Sequence, residues 1–183
     1  MNEIALNILD VAENCVRAEA NLVEISITAD SDADTLEVSI TDNGCGMDEE
    51  TVKNVTDPFY TTRTTRKVGM GTSLFKMAAE QTGGSFEITS KKGEGTAVRA
   101  IFGLSHIDRM PMGDITETIR TLITMNPEMD WIYRFGYDGA EFVLDTREMR
   151  EILDGVSLSD PDVSMYIKEM LTENHAECGA DKL

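Results

Sequence analysis

No apolar run in the 183 residues approaches the roughly 20 needed to cross a bilayer as a helix. The opening Met1-Asn-Glu-Ile4 carries no basic segment ahead of an apolar stretch, so no export signal is expected and the chain reads as cytoplasmic. Cysteine is scarce: Cys15, Cys45 and Cys178 form an odd, widely spaced set without metal-ligand spacing, which suits free thiols in a reducing compartment. Cations are scarce as well. Against 34 Asp and Glu stand 16 Lys and Arg, a formal charge of -18, and a surface of that sign repels phosphate backbones and anionic lipid. Neither nucleic acid nor a membrane is therefore an expected partner. What is present is enough for one sizeable domain and a small extension, with 41% hydrophobic residues to build a core.

The most informative stretch is Thr41-Asp-Asn-Gly-Cys-Gly-Met47. Leu36, Val38 and Ile40 alternate with polar residues as a half-buried strand does, and Asp42-Asn43-Gly44 is a turn signal at its end. Gly44 and Gly46 carry no Cβ and leave room for close approach of a flat ligand. A carboxylate only accepts hydrogen bonds, so Asp42 suits the exocyclic amine of adenine and disfavours the keto group of guanine. Taken alone, the heptapeptide reads equally well as a hairpin turn with a surface Asp.

Residues 3 to 18 have helical periodicity. Ile4, Ile8, Val11, Ala12, Cys15 and Val16 make an apolar side, and Glu3, Asn7, Asp10, Asn14 and Arg17 make a polar stripe. Asp10 and Asn14 stand one turn apart, so a water-orienting carboxylate and an oxygen ligand for Mg²⁺ would point into the same space. Leu22 to Ala29 and Leu36 to Thr41 read as antiparallel strands, and Asp48-Glu-Glu50 opens a short helix. From Val55 periodicity is lost: Thr56 to Val68, rich in hydroxyls and with Arg63, Arg66 and Lys67 clustered, reads as a mobile loop and an anion site. Gly69-Met-Gly71 then opens a helix, expected to turn Leu74, Met77 and Ala78 inward, and its N-terminus is a phosphate seat. Ser85 to Ser90 and Thr96 to Phe102 are two further strands around Lys91-Lys-Gly-Glu-Gly95. Helices and hairpins in this order favour a mixed sheet with helices on one face.

Three motifs now stand in one order, and together they resemble the GHKL superfamily of gyrase B, the ninety-kilodalton heat-shock chaperones, histidine kinases and mismatch-repair MutL. Asp10-Val-Ala-Glu-Asn14-Cys-Val-Arg-Ala18 is similar to its N box, Asp42-Asn-Gly-Cys-Gly46 to the G1 box and Gly69-Met-Gly71-Thr-Ser-Leu74 to the G2 box. Asp57-Pro-Phe-Tyr-Thr-Thr-Arg63 resembles the F box of nitrogen-regulator-type sensor kinases. The resemblance covers about residues 1 to 104 and implies a two-layer α/β sandwich, the Bergerat ATP-binding fold. It implies ATP and Mg²⁺ as cofactors, with Asn14 on the metal, Asp42 on the adenine amine, Gly44 and Gly46 beside the base, Met47 among the nucleotide-binding residues, and Thr96 supporting Asp42. Phe59 to Gly71 would form the ATP lid, Arg63, Arg66 or Lys67 would meet the phosphates, and Gly69, Gly71 and Thr72 would lie at the head of the following helix. The position of the gyrase-like general base is occupied by Asp10, one methylene shorter than the usual Glu, and a retracted carboxylate misplaces water at high cost in rate. With the N-box helix at the start of this sequence, a dimerisation helix pair with a phosphoacceptor His is not expected. Self-phosphorylation is not expected, and His106 and His175 read as surface residues.

Residues 105 to 113 read as a linker and 114 to 183 as a small α+β extension; from residue 105 onward there are 7 Lys and Arg against 17 Asp and Glu. Asp114, Asp145 and Asp160 are helix caps; Asp130 to Phe135 and Ala140 to Leu144 form a hairpin that either extends the sheet or packs as a separate module. Trp131, Tyr133 and Phe135 alternate toward a core. The expected function is that of a Mg²⁺-ATP-dependent regulatory protein, a kinase or phosphotransferase acting on a separate protein. The alternatives are a slow ATPase that uses Asp10 and works as a homodimerising switch, and a module that senses adenine nucleotide without turnover.

Overall fold

Alternating apolar residues assemble one six-stranded sheet in the computed structural model, which describes residues 3–56 and 71–183. The strands are β1 (Leu22–Asp30), β2 (Thr35–Asp42), β3 (Ser85–Lys91), β4 (Gly95–Gly103), β5 (Asp130–Tyr137) and β6 (Ala140–Asp145), in the order β3-β4-β2-β1-β5-β6. Every neighbouring pair is antiparallel except β1 and β5, which run parallel with Leu22 opposite Asp130. Val23, Ile25 and Ile27, Leu36, Val38 and Ile40, Val98, Ala100 and Phe102, and Trp131, Tyr133 and Phe135 are buried on one face. The helices α1 (Ile4–Arg17), α3 (Gly71–Gln81), α4 (Ile115–Met125) and α6 (Pro161–Glu177) cover that face, so the fold is a two-layer α/β sandwich. Each large side chain in that layer contributes about 1.5–3 kcal/mol of transfer free energy.

The hairpin β5–β6 therefore extends the sheet rather than standing apart. The segment before α4 is tied in at the same time: Ile4 N donates to Pro111 O at 3.0 Å and Ala5 N to Met112 O at 2.8 Å. Those carbonyls satisfy two of the amides that a helix N-terminus leaves free. Asp48, Asp114, Asp145 and Asp160 cap α2 (Glu49–Val55), α4, α5 (Thr146–Leu153) and α6 as their sequence positions suggest.

Three expectations need correction. Leu74 and Met77 point outward on α3, 38% and 44% exposed, because Phe75 sets the phase of the helix. Its ring fills the space between Phe86 and Phe102, with centroids at 6.1 and 5.7 Å. Asn7 is not a surface member of the polar stripe; it is buried where α1 meets its neighbours. His175 is buried as well. Its Nδ1 pairs with Thr116 Oγ1 at 2.9 Å and its Nε2 with Tyr133 OH at 2.8 Å, which holds α6 onto α4 and the sheet. Burial lowers its pKa to about 4.

Candidate functional site

Asp42 ends β2 on the buried face, 7% exposed, where the alternation that fills the core reaches its last position. Gly44 N donates to Asp42 Oδ1 at 2.8 Å and turns the chain back over the carboxylate. Asn43 fixes that turn by accepting at 3.0 Å from both Asn21 N and Leu22 N. Cys15 of α1 lies against Asp42. Burial, and then the neighbouring carboxylate, push its thiol up, so it remains protonated, and its S–H donates to Val11 O at 3.3 Å.

The two glycines of this turn are required by the chain itself. A Cβ on Gly44 would lie 2.7 Å from Ala18 O, and one on Gly46, whose φ is +63°, would lie 2.0 Å from Lys91 O. The turn is thus clamped between the end of α1 and the β3–β4 hairpin, where Gly93 N donates to Cys45 O at 2.7 Å. Ser90 completes the clamp. It accepts from Met47 N at 2.8 Å, donates to Gly95 O at 2.9 Å and lies 2.9 Å from Thr96 Oγ1.

Above this floor opens a cleft of about 510 Å³, a size suited to a small ligand. Val11, Ile40, Ile88 and Val98 give it apolar walls, fit for the faces of an aromatic ring, while Asp42 and Thr96 are polar groups between them. Asn14 and Arg17 line it from α1, Cys45, Gly46 and Met47 from the turn, and Thr72 from the first turn of α3. Arg17 Nη1 donates to Asn14 Oδ1 at 3.1 Å, and Nη2 pairs with Glu13 at 2.8 Å. A guanidinium therefore stands where the helix offers its oxygen ligand.

Asn14, Asp42, Gly46, Met47, Thr72 and Thr96, chosen from sequence, thus share one cleft. Gly44 supports Asp42 from beneath. Asp10 sits one turn before Asn14, and its Oδ2 is buried with no hydrogen-bond partner among the described residues. Gly71 is packed against it so closely that a Cβ there would lie 1.5 Å from that oxygen. Phe59, Arg63, Arg66, Lys67 and Gly69 lie outside the described residues. Arg17, Cys15 and Ser90 were not singled out from sequence. Arg17 follows Asn14 by three residues and so shares its helix face, a spacing that could have found it; a lone Ser in a strand gives no such signal. Among the described residues no group of three or more His, Cys, Asp and Glu could hold a metal on its own.

Residues 2–106 match the family described as histidine kinase-, DNA gyrase B- and HSP90-like ATPase. The sensor protein kinase FleS of Pseudomonas aeruginosa is 33% identical over 111 residues, 60% of this chain and 27% of the relative. The sensor histidine kinase YxdK of Bacillus subtilis is 33% identical over 99 residues, 50% of this chain and 30% of the relative. The chain thus spans less than a third of the length of these curated relatives. Among solved structures, the N-terminal domain of a DNA repair protein superposes with a TM-score of 0.54 at 13% identity, covering 79% of this chain and 53% of that one, which shows a shared fold. The match to more than half of the chain places it in a family: this protein belongs to the histidine kinase-, DNA gyrase B- and HSP90-like ATPases.

Proposed function

We propose that the protein binds Mg²⁺-ATP in this cleft and transfers the terminal phosphoryl group to a separate protein. The observation that carries this reading is the buried Asp42 in the lining of an apolar-walled cleft that also takes Asn14 and Arg17 from α1 and Thr72 from the first turn of α3. Asp42 accepts one internal backbone bond and can accept an exocyclic amine, while Val11, Ile40, Ile88 and Val98 cover the base. Asn14 Oδ1 is a hard oxygen suited to Mg²⁺, whose other ligands would be phosphate and water oxygens; the bound ion would neutralise charge on the phosphates. Taking up that role requires the Arg17 guanidinium to leave Asn14, and the freed cation is then positioned for a phosphate. The α3 N-terminus adds backbone donors and the positive end of the helix dipole.

The test is incubation with γ-labelled ATP and a lysate of the source cells. A labelled protein that is absent when Asp42→Asn replaces the wild type supports transfer; no labelled protein at any time removes it. The buried, unpartnered Oδ2 of Asp10 favours a second reading, slow hydrolysis with Asp10 as general base. Phosphate release that is equal, and at background, in wild type and Asp10→Asn would sink that reading.

A further inference from the structure

We propose that Ser90, a residue that does not reach the ligand, sets the base specificity of the cleft by fixing the direction of the Thr96 hydroxyl; this deepens the adenine-nucleotide reading and rests on it. The argument is a count of protons. A serine hydroxyl has one hydrogen to give and two lone pairs to offer. Gly95 O, 2.9 Å from Ser90 Oγ, can only accept, so it takes the serine's single hydrogen. Met47 N, at 2.8 Å, can only donate and occupies one lone pair. The remaining contact, 2.9 Å to Thr96 Oγ1, is satisfied when threonine donates into the second lone pair.

Thr96 has then spent its own proton, and its oxygen presents only lone pairs to the cleft. It stands directly across from Asp42 in the β2–β4 register, and both line the cleft. Cross-strand neighbours have Cβ atoms roughly 5 Å apart. Two acceptors, and no donor, therefore face the ligand from this wall. An exocyclic amine, with two N–H groups, suits them; a carbonyl in its place meets lone pairs from both sides. Ser90 thus reinforces the selection that Asp42 makes alone at the sequence level.

The experiment measures the affinities of ATP and ITP, which carries a keto group where ATP carries the amine, by calorimetry. In Ser90→Ala the Thr96 hydroxyl regains a free proton and can turn it toward the keto group, so the preference for ATP over ITP should fall about tenfold, one hydrogen bond's worth. Ser90→Thr keeps the hydroxyl and should keep the preference. If Ser90 acts through Thr96, Ser90→Ala should leave the preference unchanged in a Thr96→Val background, a comparison that holds even where the single variant is less stable. Equal weakening of both nucleotides by Ser90→Ala, or an unaltered preference, overturns the proposal and makes Ser90 only a brace. A wild-type protein that binds neither nucleotide removes the adenine site itself, and the proposal with it.

Discussion

At the scale of single residues, buried polar groups decide most of what this protein can do. Asp42 is buried with one internal hydrogen bond, and replacing it by Asn puts an amide donor where an amine must donate. Calorimetry on Asp42→Asn should show ATP affinity reduced at least about 100-fold, the cost of a misdirected charge-assisted bond of ~3 kcal/mol, with thermal stability little altered; unchanged affinity would falsify the assignment of the cleft floor. His175 makes a prediction of a different kind. Its pKa of about 4 lies below the ordinary 6.5, so the unfolded chain takes up the proton first. Stability from this residue is complete above pH 6.5 and is lost as pH falls toward 4, by about 1.4 kcal/mol per unit and up to about 3 kcal/mol in all. Urea midpoints should fall over that window more steeply in wild type than in His175→Gln, and parallel curves would refute the assignment. A histidine's surroundings are set by distant residues, here Thr116 and Tyr133, which is why its position in the sequence suggested a surface residue.

Among elements, α3 shows both what pattern reading captures and where it stops. That a helix runs through Leu74, Met77 and Ala78 was legible, since apolar spacing after a glycine-rich stretch is local chemistry. Its phase was not, because Leu74, Phe75, Met77 and Ala78 allow more than one apolar face and the choice falls to Phe86 and Phe102 across the layer. Phe75→Ala should cost about 3–5 kcal/mol in denaturant unfolding, whereas Leu74→Ala and Met77→Ala should each cost less than about 1 kcal/mol. Comparable losses at all three would return the helix to the phase first expected. The strands were legible for the opposite reason: β1, β2 and β4 bury one face only, and a period of two is unambiguous there. Of the site, the turn around Asp42 and the helix face of Asn14 could be read because glycines and helical spacing leave marks. Ser90 could not, since its role comes from Met47, Gly95 and Thr96 meeting in space.

For the whole molecule, the extension and the nucleotide half share one hydrogen-bond system. β5 pairs along β1, and the carbonyls of Pro111 and Met112 cap the helix that carries Asn14. Residues 1–104 expressed alone would leave β1 an open edge without its β5 partner, and light scattering should show association where the full chain stays monodisperse; a soluble, ATP-binding fragment would argue for independence of the two halves. That the last hairpin enters the sheet beside the first strand had no local sign in the sequence, for nothing near Asp130 names Leu22 as its partner. The same arrangement has a consequence in time. Leu22 and Asp130 lie 108 positions apart, and at roughly 5–20 residues per second of synthesis β1 waits some seconds on the ribosome before its parallel neighbour exists. Closing so long a loop is also entropically slow. During that interval the nascent sheet exposes the strand next to the Asp42 turn, so vulnerability to misassembly is concentrated between the synthesis of β1 and that of β5.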